Sequence, residues 1–211
     1  EILVGGETET HVGGAFTVNA GGITGTARST NDAESLVVGV SVAAVDVDVL
    51  ETRLVTQHDT NAVVTRDAAF DLNGGAVVLR ADSDNFARFD QFDFSLAGVD
   101  VGIFRPEALV AGRTQAYVEE GASLAASGLT LDADSDNDAD VNMVIASVGA
   151  VAVNVLEPEA RITHTTDAFV GPGAGVAPGP DAGLLDVGGG VIALTADSAN
   201  RAEVQQVNFS L

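Results

Sequence analysis

The stretch Ala133-Asp134-Ser135-Asp136-Asn137-Asp138-Ala139 decides the fold of this 211-residue chain, because the chain holds four versions of it. The other versions are Ala27-Arg28-Ser29-Thr30-Asn31-Asp32-Ala33, Ala81-Asp82-Ser83-Asp84-Asn85-Phe86-Ala87 and Ala196-Asp197-Ser198-Ala199-Asn200-Arg201-Ala202. From one version to the next, the asparagine moves by 54, 52 and 63 residues. Repetition at such a period predicts a repeat array, in which each unit buries its apolar face against its neighbours.

Two chemically different sets of residues alternate along this stretch. One parity holds Leu129, Leu131, Ala133, Ser135, Asn137, Ala139 and Val141, and the other holds Asp132, Asp134, Asp136, Asp138 and Asp140. A β-strand sends these sets to opposite faces, whereas a helix would spread the aspartates around most of its circumference. We therefore expect a strand with the aspartates facing solvent. The repeated inward serine and asparagine predict buried side chains that hydrogen-bond to backbone or to like residues.

A second recurring block sets the unit boundaries: it reads Thr-x-Ala from Thr60, Thr114 and Thr166, and a weaker match without the alanine begins at Thr8. Taking these threonines as starts gives the units 8–59, 60–113, 114–165 and 166–211, preceded by 1–7 as the tail of an earlier unit. The fourth unit carries a Gly/Pro-rich insertion over 171–190, which we expect on a loop. Residues 1–211 are thus one continuous array. Because neither end has a polar cap, we expect a longer array or identical subunits that cover both ends.

The alternation predicts an all-β fold without a convincing helix. A unit of about 52 residues suits a β-solenoid with two coils of about 26 residues each. Stacking strand on strand would leave only the two terminal edges unpaired. The parity slips near Ala44-Val45 and over 148–151, where bends or bulges are expected. The alternative architecture is a string of tandem antiparallel β-sandwich modules.

Composition excludes several classes of function. The chain has 31 acidic residues, nine arginines and no lysine, for a net charge of −22. Such a charge excludes nucleic acid as a direct partner and disfavours docking on an anionic membrane. With no cysteine there are no disulfides and no Cys-ligated metals. The chain contains no run of about 18 apolar residues, so no transmembrane helix is predicted. An aspartate-rich, lysine-free surface suits a saline exterior, where salt screens its self-repulsion.

The five aspartates Asp132, Asp134, Asp136, Asp138 and Asp140 are the candidate metal ligands. Carboxylates at every second position of one strand face are the ligands that calcium prefers. The run lacks the glycine and distal glutamate of an EF-hand loop, and it does not match the nonapeptide of calcium-binding β-rolls. Two hypotheses stay open: a calcium site, and a solvated acidic face paired in part with Arg28 or Arg80. No other cofactor and no catalytic residue is predicted.

Three further groups of residues carry weaker functional hypotheses. His58 and His164 occupy equivalent positions of their units, and we assign them structural or surface roles. The pairs Asp46 with Asp48 and Glu119 with Glu120 suggest glycosidase carboxylates, yet they lie within repeat sequence or at turns. These pairs support only the least favoured alternative, a polysaccharide-active β-helix enzyme.

A family resemblance enters at Val151-Ala152-Val153-Asn154-Val155-Leu156, followed by Thr165-Thr166-Asp167-Ala168-Phe169-Val170 and a glycine-led strand with Ala-Asp-Ser. This repeat pattern resembles that of giant secreted bacterial surface proteins, the filamentous-haemagglutinin-like and leukotoxin-like β-helix adhesins. The resemblance covers nearly the whole chain, although this chain is more acidic and the insertion in the fourth unit breaks the pattern. It implies a right-handed β-helix, export to the cell surface, and a stalk or adhesive role without catalysis.

The preferred function is therefore a non-enzymatic extracellular β-solenoid, a segment of a large repetitive surface adhesin, stalk or fibre. Its expected partners are neighbouring repeats or identical subunits end to end, and a host-cell, mineral or glycan surface. The first alternative is a self-assembling extracellular filament subunit that stacks end to end. No receptor-binding residue is predicted, because the shared motif is scaffold.

Overall fold

The computed structural model describes residues 1–17, 21–171, 185–186 and 189–211. These residues form strands and turns without a helix, as the alternation predicts. The strands are β1 (Ile2–Val12), β2 (Ala15–Thr17), β3 (Ile23–Val64), β4 (Ala69–Asp71), β5 (Ala76–Val118), β6 (Ser123–Ala125), β7 (Gly128–Val148), β8 (Val151–Leu156), β9 (Glu159–Ile162), β10 (Thr165–Val170), β11 (Leu185–Asp186) and β12 (Val191–Ser210).

Every pairing among the described strands is parallel and joins one unit directly to the next. The large sheet has the order β1-β3-β5-β7-β12, with β8, β9 and β10 paired to β5, and a small sheet has the order β11-β6-β4-β2. Ile23 pairs with Val77, and Val77 pairs with Leu129, so partners lie a whole unit apart. The predicted coils of 26 residues are wrong, because they would pair residues half a unit apart. The antiparallel β-sandwich modules are wrong as well, because the described strands pair in parallel and with the neighbouring unit.

Each unit folds into two long arms that lie back to back. In β5, residues 76–97 form an outgoing arm and residues 99–118 form a return arm, with the tip of the unit at Gly98 between them. Inward-facing residues carry odd numbers before the tip and even numbers after it. The predicted bends are confirmed: β7 ends at Val148 and β8 resumes at Val151, and Ala44 is skipped in the pairing of β3 with β5.

The apolar core lies at the end of the arms far from the tip, which we call the proximal half. There Val77, Leu79 and Ala81 of the outgoing arm belong to one buried cluster with Ala116 and Val118 of the return arm. The short strands β4 and β6 contribute Phe70 and Leu124 to this cluster. The predicted inward set of β7, from Leu129 to Val141, is buried throughout. Small side chains fit because two sheet faces approach closely.

A middle cluster and a smaller third cluster continue the interior toward the tip. Ala87 and Phe89 pack with Ala108 and Val110 in the middle cluster. The third cluster is formed by buried Phe104, Met143 and Ile145, with partly buried Leu50 and Leu156. The core is therefore a narrow strip between two arms, and it becomes less apolar along its length.

The predicted loop insertion over 171–190 lies largely outside the described residues. Val170 pairs with Val118, 52 positions earlier, whereas Val191 pairs with Gly128, 63 positions earlier. The extra residues of the fourth unit therefore fall between Val170 and Val191.

Candidate functional site

An asparagine ladder runs through all four units inside the arms. The amide Nδ2 of each asparagine donates to Oδ1 of the next, at 2.8 Å from Asn31 to Asn85, 2.8 Å from Asn85 to Asn137 and 2.9 Å from Asn137 to Asn200. The same Nδ2 of Asn85 also lies 3.1 Å from Ser83 Oγ. Like residues therefore bond to one another, as predicted. Every rung donates toward the C-terminal unit, so the ladder has a direction.

Serine–threonine contacts tie the two arms together beside the ladder. Ser83 Oγ lies 2.6 Å from Thr114 Oγ1, and both side chains are buried. The equivalent contacts, also 2.6 Å long, join Ser29 to Thr60 and Ser135 to Thr166. Buried polar groups are costly when unpaired, and a satisfied network specifies one register of the arms.

The two equivalent histidines make structural contacts within this polar layer. His58 Nε2 lies 3.0 Å from Thr8 Oγ1, and His164 Nε2 lies 2.8 Å from Thr114 Oγ1. Burial lowers the pKa of both imidazoles. Glycines occupy the same column in the other units, because Gly6 pairs with His58 and His58 pairs with Gly112. At Gly112, with φ +115°, a Cβ would lie 2.1 Å from the His58 carbonyl oxygen. Glycine and histidine therefore alternate from layer to layer.

The five candidate aspartates all lie on the outer face of β7, opposite the buried set. Arg80 pairs with Asp132 at 3.8 Å, and Arg201 lies 3.0 Å from Asp138 and 4.0 Å from Asp140. Arg28 pairs with Asp82 rather than with β7. Within the described residues, Asp134 and Asp136 have no arginine partner. The outer face of β7 is therefore paired at both ends and unpaired in the middle.

One column of carboxylates crosses the unpaired middle of this face. Asp134 pairs in register with Asp82 on one side and with Asp197 on the other. Partial burial, followed by the charges of these two neighbours, raises the pKa of Asp134. Across the described part of the chain, no three acidic or histidine side chains are grouped so as to hold a metal ion. Calcium at the five aspartates of β7 stays a prediction.

Sequence reasoning missed a second acidic group, which lies inside the tip. Asp46, Asp48 and Asp100 of the return arms face Asp93 of an outgoing arm, and Asp100 is only 3% exposed. Burial, and then the charges of Asp48, Asp100 and Asp46, raise the pKa of Asp93. Asp48 and Asp93 line a cavity of about 290 Å³ together with Phe104. The signal that could have found Asp46 and Asp48 is their alternation with Val45, Val47 and Val49, which take the opposite face.

Hydroxyl and amide groups surround these carboxylates. Ser41 Oγ donates to Asp46 Oδ2, and Ser95 Oγ donates to the same oxygen at 3.0 Å. Nearby, both amide atoms of fully buried Gln91 lack a hydrogen-bond partner among the described residues. A Cβ on Gly39 would come within 2.8 Å of Asp93 Oδ2, so glycine leaves the space that this carboxylate fills. The interior of the tip is thus polar and acidic.

The outer faces of the tip are apolar, the reverse of its interior. Val42 is 74% exposed and Val47 is 65% exposed. The outgoing arms expose Val38, Val40, Val42, Phe92, Phe94, Leu96, Val207 and Phe209, and the return arms expose Val45, Val47, Val49, Val99, Val151, Val153 and Val155. We call these two groups the tip faces. Exposed apolar patches rimmed by polar residues are typical of interaction surfaces.

The other carboxylate pair lies at a turn. Glu119 Oε2 accepts a hydrogen bond from the Arg66 backbone N–H at 2.9 Å, which ties adjacent turns together. Beside it, the rings of Tyr117 and Phe169 stack with centroids 5.0 Å apart. Asp46 and Asp48, the remaining pair, belong to the interior of the tip. The two pairs are therefore in different regions of the unit.

Comparison of the chain with protein-family models, with curated proteins and with solved structures gave no match. None of the described residues forms a helix long and apolar enough to cross a membrane. The strands and their pairing define an all-β array of parallel strands.

Proposed function

We propose that the chain is a non-enzymatic, right-handed β-solenoid that forms part of a large extracellular adhesin, stalk or fibre. Its task is mechanical: stacked parallel strands keep two arms at a fixed spacing and carry load through hydrogen bonds along the stacking axis. The unit-to-unit register of β3, β5 and β7 supports this proposal.

The asparagine ladder is the observation that carries the proposal. Its three rungs have nearly the same length and direction, although the units differ in sequence around them. Side-chain ladders of this kind stabilise stacked in-register strands. A scaffold that keeps its buried polar layer while its outer residues vary is suited to repetition.

The charge distribution supports an extracellular, saline setting. Outward carboxylates such as Asp134 and Asp136 repel their neighbours unless salt screens them. The resemblance of the repeats to giant surface adhesins points to the same location. The tip faces offer apolar area for a host-cell, mineral or glycan surface, or for neighbouring repeats.

Surface labelling of the producing cells tests this function. We expect antibodies raised against the folded chain to label the outside of intact cells, and external protease to remove the label. Labelling that appears only after the cells are broken open would overturn the extracellular assignment. In parallel, the purified chain is incubated with a panel of acidic and neutral polysaccharides. Hydrolysis of any of them would support the alternative of a polysaccharide-active β-helix enzyme.

A further inference from the structure

We infer that the outward surface of the outgoing arms at the tip binds a second copy of this chain side by side. This partner deepens the proposed function and rests on it, because lateral contact between arrays builds a fibre from single rods. We call this surface the outgoing tip face. It consists of Val38, Val40 and Val42 of β3, Phe92, Phe94 and Leu96 of β5, Val144, Ala146 and Val148 of β7, and Val207 and Phe209 of β12.

The outgoing tip face is an uncharged patch on a strongly acidic chain. None of its residues is charged, although the chain carries a net charge of −22. The exposure is not confined to an outer layer, because β5 lies between β3 and β7 and its Phe94 is still 43% exposed. With a rise of about 3.3 Å per residue and layers about 4.8 Å apart, the face measures roughly 16 Å by 19 Å. A monomer that exposes an apolar patch of this size often uses it for binding.

Bulky and small side chains alternate from layer to layer on this face. β5 and β12 carry the phenylalanines, whereas β3 and β7 carry valines and one alanine. In the central column, half-buried Ala146 lies between Phe94 and Phe209. The face therefore has ridges at β5 and β12 and a groove at β7. A second copy shifted by one layer places ridges over small layers throughout, so the face is complementary to a shifted copy of itself.

The charges of the proximal half set the orientation of the two copies. If the arms of both copies pointed the same way, the five outer aspartates of β7 would lie opposite the acidic face of the partner, about 10 Å away. That distance is about one Debye length at 0.1 M salt, so much of the repulsion would persist. Arms that point in opposite directions overlap only at their tips. The copies therefore take the opposed orientation, with the two proximal halves apart.

The return arms expose a second apolar face, but that face has no ridges. There Val45 pairs with Val99, and Val99 pairs with Val151, so one column is valine in three successive layers. Aromatic side chains are enriched among the residues that contribute most to binding at protein interfaces. The outgoing tip face holds three phenylalanines, whereas the exposed residues of the return face are valines. The contact therefore forms through the outgoing arms.

The size of the face predicts how strongly two copies associate. A stable interface buries about 800 Å² on each partner, and the outgoing tip face covers roughly 300 Å² in its four layers. Two copies of this chain should therefore associate weakly and reversibly. Each further layer of a longer array would add area to the same contact, so lateral binding should strengthen with the length of the array.

Sedimentation equilibrium of the intact chain tests the inference at protein concentrations up to about 1 mM, where a weak contact is populated. We expect dimers whose fraction rises with salt, because the Debye length falls to about 3 Å at 1 M. Phe94→Glu should weaken dimerisation at least about tenfold, since it places a charge in the buried contact. The matched control is Val99→Glu, which adds the same charge in the same layer on the return face. It should stay within about twofold of wild type.

A second variant separates a fitted contact from non-specific apolar adhesion. Ala146→Phe fills the groove at β7 and should weaken dimerisation about tenfold by overpacking, although it makes the face more apolar. Non-specific adhesion would instead be strengthened by this change. Circular dichroism checks that each variant keeps its strand content, and flotation with vesicles of neutral phosphatidylcholine tests a lipid surface as the occupant.

Four results would overturn the inference. They are a chain that stays monomeric at every concentration and salt, equal weakening by Phe94→Glu and Val99→Glu, stronger association of Ala146→Phe, and flotation of the monomeric chain with the vesicles. All four are measured on the purified chain and do not bear on the surface-labelling test. The inference and the proposed function therefore fail separately.

Discussion

The proximal half and the tip are built from the same two arms but have opposite interiors. In the proximal half, Leu79 and Leu131 are buried and aspartates face solvent. At the tip, Asp93 and Asp100 face inward and valines face solvent. The backbone ladder continues through both regions, so the parallel register does not depend on an apolar interior. What differs is how strongly each region resists opening, because few buried apolar contacts mean low local stability.

The third layer shows that the acidic interior is not required by the architecture. Ile145 occupies the position of Asp93, and Ala152 occupies that of Asp100. Ile145 packs there with Met143 and Phe104. The tip is therefore acidic where the first two layers meet and apolar one layer further along.

Truncating the proximal core is expected to have the largest effect. Leu79→Ala removes a fully buried side chain from a closely packed cluster and should lower the free energy of unfolding by about 2–5 kcal/mol. Val47→Ala on a tip face is the control, and it should change stability by less than about 0.5 kcal/mol. Urea denaturation of both variants measures the difference. Similar losses would show that the tip faces are covered in the folded protein.

Breaking the asparagine ladder should have the next largest effect. Asn85→Ala leaves Asn31 without its acceptor and Asn137 without its donor, at a cost of about 1–3 kcal/mol. The control is Asn142→Ala, whose amide bonds to Asp90 on the outer face, and it should cost less than about 1 kcal/mol. Equal costs in urea denaturation would contradict a special role for the buried ladder.

Acid should stabilise the tip. The native pKa of Asp93 lies above its usual 3.8, so the folded state binds more protons than the unfolded chain between these two values. Stability of the tip should rise as the pH falls through the native pKa toward 3.8. Amide exchange across the tip measures this, and Asp93→Asn should flatten the pH dependence. Asp136→Asn on the outer face is the control and should leave the dependence of the tip unchanged.

Acid should have the opposite effect beside the asparagine ladder. The native pKa of His58 lies below its usual 6.5, so the unfolded chain binds more protons once the pH falls below 6.5. Stability of this region should be full above 6.5 and decline as the pH falls through the native pKa. His58→Gln should reduce that decline in amide exchange of β3, whereas His11→Gln on the outside should not. An identical decline in both variants would show that a group other than His58 causes the loss of stability in acid.

Calcium is expected to give the smallest effect. If it binds the five aspartates of β7, of which Asp134 lies in a column with Asp82 and Asp197, the melting midpoint should rise with calcium and fall with chelator. Asp134→Asn should remove that response. The control is Asp71→Asn, which lies on the short strand β4 away from the column. A midpoint that calcium and chelator leave unchanged would eliminate the cation hypothesis.

Much of the fold follows from local alternation. The strand over 128–148, its buried face, the bends at the tip and the bonding of like asparagines are all predicted from the repeats and confirmed. The number of coils per unit could not be predicted, because the length of a unit does not say whether its two arms hydrogen-bond to each other or to the next unit. The interior of the tip was missed because parity reverses at Gly98, after which valines that resemble core residues face outward.

By itself, the sequence determined the repeat, the strand period and the strongly acidic character, because these depend on composition and on the alternation of neighbouring residues. Only the tertiary structure decided which alternate face is inside at each point along the arms. It also decided that Asp46, Asp48, Asp93 and Asp100 meet in one place. The physical reason is that a strand has two faces, and the packing of one arm against the other decides which of them is buried.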